Sequence, residues 1–134
     1  MEDSPIKSYR DLKVWQQAMD LAAACYAATR SFPREEVFGI TSQIRRSAAS
    51  VPANVAEGHG RENRTEFVRF LRIAQGSLKE LETHVLLSER IGLASADVVR
   101  PILARCQVIG KMLRALIRAL QQKGVASTDS RPAH

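Results

Sequence analysis

Apolar residues recur at helical spacing through four successive stretches of the chain. In the first, about residues 10–31, Leu12, Trp15, Met19, Ala22, Tyr26 and Thr29 repeat at intervals of 3 and 4, the seam of helices packed at small crossing angles. A second stripe, Val14, Ala18, Leu21, Cys25, Ala28 and Phe32, runs beside it. The apolar arc is therefore wider than one neighbouring helix needs. Phe32-Pro33 ends the element, because a residue before proline avoids helical geometry. The second stretch, about 36–59, carries Val37, Ile40, Ile44, Ala48, Val51 and Val55 and stops at Gly58 and Gly60. Its middle, Ser47 to Ala56, is nearly all small residues, which let another backbone approach closely. Pro52 lies inside it and predicts a kink, with a ligand cleft there as the minor alternative.

Asn63 and Glu66 have the spacing of a capping box, so a third helix starts near Arg64. Phe67, Phe70, Ala74, Leu78, Leu81 and Val85 carry it to about Ile91, where Gly92 supplies the stop. Ser95 caps a last helix over about 96–122, with Pro101 near its start. Val99, Ile102, Cys106, Ile109, Leu113, Leu116 and Leu120 form its regular seam. Four helices of this length, each roughly 33–42 Å, joined by short links, predict an all-α, antiparallel up-down-up-down four-helix bundle. The bundle is expected over 9–123, between a loose N-terminal segment at 1–8 and a loose tail at 124–134. The surplus apolar arcs on the first and last helices predict burial between subunits.

Composition narrows the class without changing it. The 134 residues include 18 Ala and 12 Leu with only 5% aromatics, a helix-forming mixture that leaves little for sheets. No apolar run approaches the roughly 18 residues of a membrane span. The opening Met-Glu-Asp-Ser-Pro lacks the form of a secretory signal, so the cytoplasm is the expected compartment. Cys25 and Cys106 lie on apolar seams, where buried and unreactive thiols are expected.

Catalytic chemistry finds little footing. Bundle enzymes with paired metals need Glu-x-x-His, yet Leu81 precedes His84 and Ala56 precedes His59 in that register, while His134 is in the tail. Glu80 and His84, four apart, are a solvent-facing pair sooner than a metal site. Gly58-His59-Gly60 follows a helix, where it cannot cradle phosphate as a strand-to-helix loop does. No cofactor and no enzymatic activity are expected.

Charge is more informative. The net +6 leaves room for a polyanionic partner. Arg100, Gln107, Lys111, Arg114, Arg118 and Gln121 share one stripe of the last helix. From Val98 to Thr128 six basic residues, including Arg105 and Lys123, meet no carboxylate. Arg61, Arg64, Arg69 and Arg72 make a second basic group at the start of the third helix, diluted by Glu62 and Glu66. Arg100, Lys111, Arg114, Arg118, Arg69 and Arg72 are the candidate nucleic-acid contacts. Arg46, Asn54, Glu57 and Glu80 are candidates for a structural polar network, in which Arg46 or Arg45 pairs with Glu57 or Glu80.

The stretch from Gln43 to Gly58, Gln-Ile-Arg-Arg-Ser-Ala-Ala-Ser-Val-Pro-Ala-Asn-Val-Ala-Glu-Gly, resembles the 23S rRNA intervening-sequence proteins, a bacterial four-helix-bundle family. Tyr9-Arg10-Asp11-Leu12-Lys13-Val14-Trp15 is similar to that family's opening, and Phe70 to Thr83 to its third-helix signature. The resemblance implies a ring-like homopentamer, and relatives that include accessory proteins of diversity-generating retroelements. Those relatives bind nucleic acid and a reverse transcriptase. In such a ring symmetry would multiply the basic stripe, five copies carrying about +30.

The expectation is a non-enzymatic oligomeric bundle that binds RNA or DNA through its phosphates. With few aromatics available, duplex or structured RNA is favoured over a stacked single strand. The alternative is a protein-interaction scaffold or accessory subunit that binds no nucleic acid.

Overall fold

A computed structural model describes residues 7–129, with side chains through Gln122. The described chain is all helical: α1 (Lys13–Thr29), α2 (Ile40–Gly60), α3 (Arg64–Arg90) and α4 (Ala96–Asp129), with 3-10 turns at Tyr9–Asp11 and Arg34–Glu36 and no strand among the described residues. Each helix packs against its sequence neighbours, and α1 also meets α4. Among the described residues the backbones of the diagonal pairs, α1 with α3 and α2 with α4, stay more than 8 Å apart at Cα, and only their core side chains approach one another. One core results, built from Leu21, Ile44, Val51, Leu71, Leu81, Ile109 and Leu113 with their neighbours. A residual void of only about 10 Å³, lined by residues including Cys25, Ile44, Val85 and Ile102, indicates close packing there.

The start of the chain departs from the single helix expected. Ser8 Oγ accepts from the Arg10 N–H at 3.1 Å, and the Asp11 carboxylate accepts from the N–H groups of Lys7 and Ser8 at 2.9 and 3.1 Å. These bonds close a separate turn, after which Leu12 is extended and α1 begins at Lys13. Of the two stripes on α1, the second forms most of the core. Val14, Ala18, Leu21 and Cys25 are buried, whereas Met19 and Tyr26 of the first stripe are 44% and 42% exposed. Trp15 is half-buried, its ring edge-on to Tyr9 with centroids 5.2 Å apart.

The second helix starts at Ile40, later than expected, because Arg34–Glu36 forms its own turn and Val37 stays exposed. It runs on through buried Pro52 to Gly60. The small residues serve close packing: α2 and α3 are the most intimate pair in the fold. Gly58 is not the helix stop. A Cβ there would lie 2.7 Å from Phe70 Cβ and 3.1 Å from Phe67 Cδ1, so the position accommodates α3. The chain turns after Gly60, with Glu62 at φ 54°. Asn63 caps α3 by accepting from the Glu66 N–H at 2.9 Å, but the reciprocal half of the expected box is replaced by a Glu66–Arg69 ion pair. Gly92, at φ 83°, ends α3 as expected.

The last helix begins where expected, with the Ser95 carbonyl accepting from Val98 and Val99, and continues to Asp129, past the expected end near 122. Its seam shifts late: Ile117 is buried, while Leu116 and Leu120 are half-buried. Residues 1–6 and 130–134, parts of the two expected loose ends, lie outside the described residues. No helix among the described residues is long and apolar enough to cross a membrane.

Candidate nucleic-acid interface

An acid-free sequence on one helix leaves its cations uncompensated. Arg100, Lys111, Arg114 and Arg118 are all exposed on α4, away from buried Val99, Ile102, Cys106, Ile109 and Leu113. Among the described residues none of the four makes an ion pair. The three pairs that form are Arg61–Glu57 at 3.0 Å, Arg69–Glu66 at 3.1 Å and Lys79–Glu82 at 3.2 Å, each within a single helix or across its end.

Part of this stripe faces α3. Arg72, Gln75 and Lys79 of α3 meet Gln107, Lys111 and Arg114 of α4 around a groove of about 670 Å³. Leu78 and Cys106 contribute apolar lining, and Glu82 supplies its acid. Gly76 and Gly110, one on each helix, also line the groove. A Cβ on Gly76 would meet nothing within 4 Å. Farther along, Arg64, Thr65 and Val68 meet Leu120 and Gln121. Cations from the start of α3 and the later part of α4 thus gather toward one end of the molecule.

The expected contacts therefore divide. Arg72, Lys111 and Arg114 converge on the groove, whereas Arg100 lies about 16 Å back along α4 from Lys111. Arg118 sits one turn beyond Arg114. Arg69 is engaged elsewhere, paired with Glu66 and with its guanidinium 4.5 Å from the Phe70 ring centre. This holds the Glu66 carboxyl below its ordinary range. Charge counting on α4 missed Lys79 and Gln75. The signal that could have found them is Gly76, a helix-interior glycine with no turn to explain it.

The expected polar network does not assemble. Arg46 and Glu80 are exposed and make no hydrogen bond or ion pair among the described residues, and Glu57 pairs with Arg61. Of the four residues only Asn54 enters a chain of contacts. Its amide donates to the Ser50 carbonyl and hydroxyl at 2.8 and 2.9 Å, and Ser50 Oγ meets Ser77 Oγ of α3 at 2.8 Å. Arg45, and not Arg46, joins helices: it donates to Thr29 Oγ1 at 2.9 Å and lies 4.7 Å over the Tyr26 ring. Of the two acids that sequence spacing offered to Arg46, Glu57 is taken by Arg61 one turn on, and Glu80 stays unpaired among the described residues.

Both cysteines are buried, and loss of hydration pushes each thiol up to about 12. Among the described residues no three His, Cys, Asp or Glu side chains gather as a metal site would require.

Residues 10–115 match the family described as 23S rRNA-intervening sequence protein. The chain belongs to that family. A solved structure from Bacteroides thetaiotaomicron, a protein of unknown function from the S23 ribosomal protein family, has the same fold. It is 24% identical with a TM-score of 0.70, covering 78% of this chain and 97% of that one. No curated protein matches the chain. The matched span takes in α1 to α3, the groove and the first twenty residues of α4, so this intervening-sequence-family protein carries Arg72, Arg100, Lys111 and Arg114 inside the matched span and Arg118 just beyond it.

Proposed function

We propose that this protein is a non-enzymatic, oligomeric, antiparallel up-down-up-down bundle that binds RNA or DNA through its phosphates. The observation that carries the reading is the convergence of Arg72, Lys111 and Arg114 on one groove, none of them in an ion pair among the described residues. Unpaired cations gain from a polyanion by releasing its counterions, whereas internally paired ones must first give up a partner. The antiparallel order is supported by matched levels on α3 and α4: residues 64–68 meet 120–121, and 72–82 meet 106–114. Exposed Met19 and Tyr26 on α1 and Val98 and Val108 on α4 supply apolar surface for subunit contacts, with a five-membered ring favoured by family resemblance.

Binding of a labelled mixed-sequence oligonucleotide, titrated at several salt concentrations, tests the proposal. Three phosphate contacts give a slope of log affinity against log salt near about −3 per site. Reversing charge at Lys111 and Arg114 should abolish binding. A flat salt response, or unchanged affinity in that double variant, would overturn the reading. The scaffold alternative has an observation of its own: Phe38 is 94% exposed, and Leu86, Leu87 and Ile91 are 49%, 44% and 54% exposed. A protein partner retained in high salt, in a preparation free of nucleic acid, would favour it.

A further inference from the structure

We infer that the α3–α4 groove is a track for one sugar-phosphate strand of a base-paired nucleic acid, held by Arg72, Lys111 and Arg114 and admitted by the missing side chains of Gly76 and Gly110. This rests on the phosphate-binding reading above and assigns it a place and a ligand form.

The two glycines of the fold's long helices that matter most are unlike each other. Gly58 is demanded by its own chain, since a Cβ would collide with Phe70. Gly76 is not: the space over it is empty to 4 Å, and alanine would serve the helix better. That space opens into the groove, directly among the cations. A glycine here leaves room for something from outside to lie close to the helix backbone.

The lining selects what that is. Among the described residues no aromatic side chain borders the groove, so bases find no platform there on which to stack. Gln75 and Gln107 offer amide donors to sugar and phosphate oxygens. Unstacked bases would gain nothing here, whereas the outer ridge of a duplex presents only phosphate and sugar. Glu82 marks the boundary. Its carboxylate, 3.2 Å from Lys79, both repels phosphate and occupies that cation, so the strand lies toward Arg72 and Arg114.

Fluorescence anisotropy with a short labelled RNA duplex and a polyuridine strand of equal length provides the test, on the full chain and with light scattering on each variant. Wild type should favour the duplex. Gly76→Leu should keep its subunit number and bind about tenfold more weakly, the scale of one charge-assisted contact. Glu82→Gln should bind about two- to threefold more tightly, and Arg100→Gln should change affinity less than about twofold, as a lone screened charge outside the track. Unchanged affinity in Gly76→Leu, a changed subunit number in that variant, or preference for polyuridine would overturn the assignment. Should Gly76→Leu not fold, Arg72→Gln against Arg100→Gln decides it, equal losses overturning it. Absence of salt-dependent binding by wild type would defeat the parent reading instead, so the two failures are distinguishable.

Discussion

At the scale of single residues, glycine and cysteine make the sharpest forecasts. Gly58→Ala forces a carbon to within 2.7 Å of Phe70 Cβ, an overpacking that should lower stability by about 1–3 kcal/mol. Gly76→Ala meets open space and removes the entropic penalty of glycine, so it should raise stability by up to about 1 kcal/mol. Urea midpoints of the two variants should therefore move in opposite directions. The thiols of Cys25 and Cys106, pushed from 9.0 to about 12 on burial, stay protonated in the folded chain while the unfolded chain ionises them. Their contribution is complete below about pH 9 and is lost as pH climbs toward 12. Melting curves over that interval should fall progressively, and a thiol reagent at neutral pH should label both cysteines only after denaturation.

At the scale of elements, Asn63→Ala removes the cap of α3 and should cost about 1 kcal/mol, read from the denaturant midpoint. The sequence announces this helix most clearly because cap, seam and terminal glycine agree, and its bounds matched closely. α1 was harder. Two apolar stripes of similar weight compete for the core on that helix, and only packing against α2 and α4 decides that Val14, Ala18, Leu21 and Cys25 turn inward. The separate turn at Tyr9–Asp11 was hidden because Ser8 and Asp11 act through local backbone bonds that periodicity does not register. The unpaired cations of the candidate site are legible in the sequence, but their grouping in one groove is not. A stripe along one helix can be read from spacing, which places Gln107, Lys111 and Arg114 together, and the basic group at the start of α3 already includes Arg72. That Lys79 and Gln75 join Arg72 across the groove depends on how far α3 slides along α4, which spacing within either helix cannot fix. Arg46, Glu57 and Glu80 failed as a network for the same cause. Ser50 shares the helical spacing of Arg46, Asn54 and Glu57, but Ser77, the hydroxyl it meets on α3, is too common a residue to single out.

At the scale of the whole molecule, exposed apolar side chains gather at one end while arginines occur at both. The junction of α2 and α3 and the later part of α4 carry Arg61, Arg64, Arg72, Arg114 and Arg118. The opposite end, where Phe32 and Ile44 meet Val85, Ala94 and Val98, exposes Phe38, Leu86, Leu87 and Ile91. Light scattering should find an assembly larger than a monomer that survives high salt, since apolar contacts strengthen as ionic ones are screened. Nucleic acid should dissociate under the same conditions. Were the proposed polyanion seated in the groove, the end bearing Phe38, Leu86, Leu87 and Ile91 would stay uncovered, leaving that apolar surface free for a second and uncharged contact.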